Sequence, residues 1–215
     1  AQRSIEQFPR ICRHVWRARR DSLVHEVRSP VTSDWDCRVL CIIETVGVGG
    51  GAEQLMVSLL PALRALGVHV EVVALSEWPQ DLGGLIEAKG VTVHRLRIEG
   101  IPSCARALPR LERIVRNGSF DVVWGNLPFG NLTAQMLRAT HPRLRSVITL
   151  HGPGYANVAL RGPRQRAWLE MERILGRWAS DARVAVSSAV AEDHANFFHW
   201  RDIDVIHNGV PVAEI

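Results

Sequence analysis

His151 follows the apolar run Val147-Ile148-Thr149-Leu150 and precedes Gly152-Pro153-Gly154. An imidazole at the carboxyl end of an apolar strand sits where loops collect functional groups. It can donate a hydrogen bond, accept one, or stabilise developing charge. A second constellation is Gly47, Gly49, Gly50 and Gly51 followed by Glu53, placed after the apolar segment Val39–Ile43. Bare backbone N–H groups at the positive end of a helix let a phosphate or a hydroxyl approach closely. The same pattern also suits a tight turn needing positive φ, with Glu53 stabilising a helix start. A third runs from Gly125 and Asn126 to Gly130 and Asn131, where each asparagine is either a ligand contact or a turn residue. Ser187 and Ser188 open the segment AVAEDH, as ligand groups or as helix caps.

The elements that must position these residues alternate regularly from Arg38 onward. Strands are predicted at 39–43, 68–75, 91–95, 121–124, 146–150, 183–187 and 203–206. Helices are predicted at 53–66, 82–89, 104–117, 130–140, 163–179 and 188–197. Short apolar strands separated by helices imply an α/β fold, a Rossmann-like, doubly wound parallel sheet with helices on both faces. In such a sheet ligands bind beyond the carboxyl ends of the strands, so the loops above belong to one crevice. Gly67 and Gly90 stand where left-handed residues end helices, and Pro61 and Pro109 predict kinks or late starts.

The 215 residues suit one sizeable α/β domain with an appendage. The net charge of +4 comes from arginine, Lys89 being the only lysine, and no basic run carries the interleaved aromatics that stack bases. Nucleic acid is therefore not an expected partner. Cys12, Cys37, Cys41 and Cys104 form no C-x-x-C pair, which fits a reducing cytoplasm. No metal site is expected: His194 and His199 are off the i, i+4 register, and Asp34-Trp35-Asp36 precedes the first strand. No cofactor is expected either.

The combination GGGAE (49–53), DVVWGN (121–126), TLHG (149–152), VAVSSAVAEDH (184–194) and DVIHNGV (204–210), in this order, resembles the N-terminal half of a family 4 glycosyltransferase of the GT-B fold. His207 departs from it, standing where the family usually has proline before Asn-Gly. The resemblance implies a retaining enzyme whose N-terminal half holds a carbohydrate or lipid-linked acceptor and whose C-terminal half holds the nucleotide-sugar donor. It implies that residues 38–207 are the acceptor-binding domain and that 208–215 begin the hinge to an absent donor domain. The family's matching histidine lies beside the reacting sugar, which assigns His151 a catalytic place. Gly49, Gly50, Gly51, Glu53, Asn126, Asn131, Gly152 and Ser188 are the expected acceptor or donor contacts. The nucleotide-sugar enters as co-substrate, and the 215 residues alone are expected to be inactive.

One rival is an NAD(P)-binding oxidoreductase domain, since Gly47, Gly49 and Ala52 fit G-x-G-x-x-A. Against it, Glu44-Thr45-Val46 separate the strand from the first glycine, and the second strand ends at Leu75-Ser76 without an acid. Another is a non-catalytic sugar-binding or scaffold module.

Residues 1–37 form a separate basic arm. Pro9 starts a predicted helix to about Arg28 with Cys12, Val15, Trp16, Leu23 and Val27 on one face beside Arg10, Arg13, Arg17 and Arg20. It either packs on the domain's flank or lies on an anionic membrane surface. In the second case the protein sediments with anionic vesicles, salt releases it, and deleting 1–30 abolishes binding without unfolding the domain. A sharp fall in thermal stability on deletion identifies flank packing instead.

Overall fold

A computed structural model describes residues 37–47, 50–77, 81–99, 101–152 and 162–208. Residues 1–36 of the basic arm and the segment beyond Asn208 lie outside the described residues, while Cys37, the arm's last residue, is buried in the core. Seven strands, β1 (Arg38–Ile43), β2 (His69–Ala74), β3 (Thr92–Arg95), β4 (Val122–Asn126), β5 (Arg145–Leu150), β6 (Ala182–Ala185) and β7 (Ile203–Val205), form one sheet in the order β3-β2-β1-β4-β5-β6-β7. Every pairing is parallel, with Ile43 opposite Ala74 on one side and Asn126 on the other. The helices are α1 (Gly51–Ala65), α2 (Gly83–Glu87), α3 (Ile101–Gly118), α4 (Leu127–Thr140), α5 (Pro163–Trp178) and α6 (Ser188–Phe198).

Alternation along each strand divides the core into two layers. Val39, Cys41 and Ile43 pack with Met56, Leu60 and Leu63 of α1 and Ile86 of α2. Leu40 and Ile42 face the opposite way, against Leu111 and Val115 of α3 and Ala134 and Leu137 of α4. Farther along that second face, Ile148, Leu150 and Ala185 meet Leu169 of α5 and Val190 and Phe198 of α6. Each such buried aliphatic side chain contributes about 1.5–3 kcal/mol relative to exposure. Strands β1 to β3 advance one way with their helices beneath; the chain then returns to β4 beside β1 and advances the other way. The switch point lies between β1 and β4.

Gly67 (φ 86°) and Gly90 (φ 83°) take the left-handed conformation expected after helices. Helices α1 and α3 run through Pro61 and Pro109, and neither starts late at its proline. Helix α4 begins three residues before the predicted 130, since Pro128 falls in its first turn, where a missing N–H costs nothing and φ is already helical.

That early start brings α4 down onto the sheet backbone. A Cβ on Gly130 would stand 2.6 Å from the Ile42 carbonyl oxygen, and one on Gly125 would stand 2.6 Å from the Asn131 Cα. Backbone cannot yield as a flexible side chain does. Gly130→Ala is therefore expected to lower stability by about 1–3 kcal/mol, as overpacking does. Gly51→Ala, whose Cβ meets nothing within 4 Å, should leave it near wild type. Urea midpoints check this, and equal midpoints for wild type and Gly130→Ala would contradict the packing account.

Candidate functional site

The switch point opens into a crevice of about 560 Å³ lined by Thr45, Gly47, Gly50, Gly51, Ala52, Glu53, Leu127, His151, Gly152 and Asn208. Four strand ends supply it, as expected for an open α/β sheet. Gly50 is the N-cap of α1 and no side chain caps that helix end, so the first N–H groups of α1 stand at the crevice wall. The Glu53 carboxylate folds back beside Gly50, and its Oε1 accepts a hydrogen bond from Thr45 Oγ1 at 3.3 Å. Burial, reinforced by the charge of Glu53, holds the half-buried Glu44 above the usual carboxylate range. Two carboxyl groups thus stand near the positive helix end, and no lysine or arginine is among the described lining residues. The electrostatics favour neutral hydroxyl groups over a phosphate.

His151 emerges from the end of β5 and lies above Asn126, the last residue of β4. Its Nε2 is 3.0 Å from Asn126 Oδ1, and Asn126 Nδ2 donates in turn to Cys41 Sγ at 3.5 Å. Burial depresses the His151 pKa from 6.5 to about 4, so the ring is neutral at physiological pH. Cys41 is buried, which pushes its thiol up and keeps it protonated and unreactive. Leu127 links Asn126 to α4 at φ 63°, a left-handed conformation that costs a leucine about 1–2 kcal/mol. The docking of α4 imposes this strain at the crevice floor, where such outliers gather at functional sites.

Gly50, Gly51, Glu53, His151 and Gly152 therefore meet in one crevice as expected, and Gly49 lies outside the described residues. Three expectations need correction. Asn126 is fully buried and reaches the crevice only through His151. Asn131 is buried in α4 and donates to the Thr149 backbone oxygen at 3.0 Å, fastening the helix to β5. Ser188 is the exposed first residue of α6 and does not line the crevice, while Ser187 caps that helix by accepting from the Val190 N–H at 3.3 Å. Leu127 and Asn208 line the crevice from the segments that the strand-end rule points to after β4 and β7, whereas Thr45, two residues past β1, was missed as a lining residue.

The dinucleotide fingerprint does not form. Residues 44–50 separate β1 from α1, Gly47 pairs with Asp81 in an antiparallel bridge, and β2 runs into Leu75 without an acid. No group of three metal-ligating side chains clusters among the described residues. No helix among them is long and apolar enough to cross a membrane. A second groove, about 750 Å³ and mostly apolar, lies between α3 and α4, with Leu96, Leu111 and Met136 in its walls.

The family model described as Glycosyltransferase Family 4 matches residues 49–214. No curated protein matches the sequence significantly. Among solved structures, Anabaena HepE in complex with UDP-glucose superposes with a TM-score of 0.63 at 16% identity, over 81% of this chain and 45% of that one. Sucrose-phosphate synthase from Thermosynechococcus elongatus gives 0.56 at 16%, over 82% and 51%. A putative UDP-N-acetylglucosamine 2-epimerase from Listeria monocytogenes gives 0.50 at 12%, over 73% and 41%. The chain spans about half the length of these proteins, and at such identities the likeness concerns the fold, a Rossmann-like unit of the GT-B kind.

An unfolded histidine binds a proton below about pH 6.5, whereas folded His151 resists protonation down to about 4. The unfolded state binds more protons between these values, so His151 makes stability fall as pH drops through that window and leaves it flat above. His151→Gln should flatten this part of the stability–pH curve in paired urea titrations. Identical curves would show that the ring is not held neutral.

Proposed function

The chain belongs to glycosyltransferase family 4, and on that premise we propose that it forms the acceptor-side half of a retaining glycosyltransferase. The enzyme moves a sugar from a nucleotide-sugar to a carbohydrate or lipid-linked acceptor. The observation that carries this reading is the character of the crevice: open, built from four strand ends, furnished with hydroxyl-sized polar groups and free of cations among its described lining residues. Such a surface suits a glycosyl group or acceptor hydroxyls. The diphosphate then needs its counter-charge from another half, which agrees with a chain spanning about half of its solved neighbours. Nucleotide-sugars as donors follow the UDP-glucose found with HepE.

Within this reading the chain's residues position the reactants and exclude water. The α1 end and Gly152 allow close approach because they present backbone without side chains, and His151 fixes a hydroxyl of the sugar. A protein nucleophile is not required of this half.

The test is transfer from a panel of nucleotide-sugars by the 215-residue chain and by the same chain joined to a family donor domain. Only the joined form should turn over, since half a cleft forfeits most of the roughly 7–11 kcal/mol available from positioning. In that form His151→Ala should lower turnover about 10²-fold or more, as removing one preorganised polar group does. Gly51→Val, whose Cβ meets no atom within 4 Å and whose methyls add bulk at the crevice wall, should block transfer with little change in melting temperature. Equal turnover with and without the second half would refute the half-enzyme reading.

A further inference from the structure

The described residues leave one chain of buried polar groups directed at the crevice. Cys41 on β1, Asn126 at the end of β4 and His151 after β5 come from three adjacent strands; the first two are fully buried, and the third opens on the crevice. An amide has two donors on one side and an acceptor on the other, so what one side meets decides what the other side offers. The Asn126 NH₂ group stands 3.5 Å from the Cys41 sulfur, and its carbonyl oxygen stands 3.0 Å from His151 Nε2. An oxygen facing a ring nitrogen at that distance needs a hydrogen between them. The ring thus carries its proton on Nε2, leaving Nδ1 as a lone-pair acceptor with no hydrogen bond to any described residue.

We propose that Asn126 is a positioning residue that locks His151 as the Nε2–H tautomer, so that Nδ1 accepts a hydrogen bond from a ligand hydroxyl in the crevice. The ligand half of this statement rests on the sugar-binding reading above; the tautomer half does not. The consequence for specificity is definite. A site presenting only an acceptor here selects a group with a proton to give, such as a sugar hydroxyl, and rejects a carboxylate, a phosphate oxygen or an O-methyl group, because any of these sets lone pair against lone pair. The opposite amide orientation would give the opposite selection, with the NH₂ group facing Nε2 and Nδ1–H donating, so the amide of Asn126 acts as the selector. Burial away from water leaves the amide no solvent-assisted alternative and gives its orientation a large influence on the ring.

The experiment is long-range ¹H–¹⁵N correlation on the histidine-labelled chain, followed from pH 8 to 4. Wild type should show His151 as a single neutral Nε2–H tautomer titrating near 4. Asn126→Ala should show mixed tautomers and a midpoint moved toward 6.5. Asn126→Asp, whose carboxylate also accepts from Nε2–H, should restore the single tautomer and raise the midpoint further. Rescue of the tautomer together with a raised midpoint is not something a merely structural role would produce. An Nδ1–H tautomer in wild type overturns the proposal, and that arm is decisive even if the Asn126 variants fail to fold. An unchanged tautomer in a folded Asn126→Ala also overturns it. Adding UDP-glucose to the chain joined to a family donor domain, which supplies the diphosphate's counter-charge, should shift the Nδ1 resonance. In that joined form an Nε2–H ring whose Nδ1 signal stays still leaves the positioning role standing and removes the sugar reading.

Discussion

The close approach of α4 to the backbones of β1 and β4 places everything else. Gly130 lies against the Ile42 carbonyl and Gly125 lies beneath Asn131, distances that no side chain tolerates. With α4 so low, its first turn must begin immediately after β4. Leu127 is forced into a left-handed conformation, Asn126 is shut away from solvent, and Asn131 reaches across to the Thr149 carbonyl. The same seating fixes the floor of the crevice between β1 and β4. Packing against the sheet and shaping of the site are therefore one event here, and the cost of the strained leucine is met by the contacts of the whole helix.

Electrostatics give the crevice its character. An uncapped helix end would ordinarily invite an anion, but Glu53 lies against it, Glu44 stands nearby, and His151 carries no charge at neutral pH. The result is a polar surface of nearly balanced potential in which hydrogen-bond direction decides what fits. The fold does not dictate this, because proteins with the same sheet and little sequence identity carry names as different as a synthase and an epimerase. The side chains at the strand ends do.

Much of this was legible in the one-dimensional pattern. Each strand falls within about two residues of its place in the hydrophobic runs, and Gly67 and Gly90 punctuate the chain as left-handed residues must. Since strand-end loops converge in a parallel sheet, the glycines near 50, Glu53 and His151 could be assigned to one crevice before any coordinates. The asparagines were harder. Asn126 and Asn131 look alike in sequence, both polar and both near glycine, yet only three-dimensional register sets one against a histidine and the other against a strand carbonyl. Ser187 and Ser188 posed the same problem, and ordinary capping chemistry decided it. No late helix start appears at Pro61 or Pro109, because each helix begins well upstream of its proline.

The central claim is that the switch-point crevice is where this chain holds sugar. Amide chemical-shift mapping against UDP-glucose of the labelled chain joined to a family donor domain addresses it directly, since the diphosphate then has its counter-charge and the glycosyl group is free to enter the crevice. The account requires the perturbed resonances to be those of Thr45, Gly50, Gly51, Ala52, Leu127 and Gly152, saturating together. Perturbation confined to the walls of the apolar groove between α3 and α4, around Leu96, Leu111 and Met136, would contradict it.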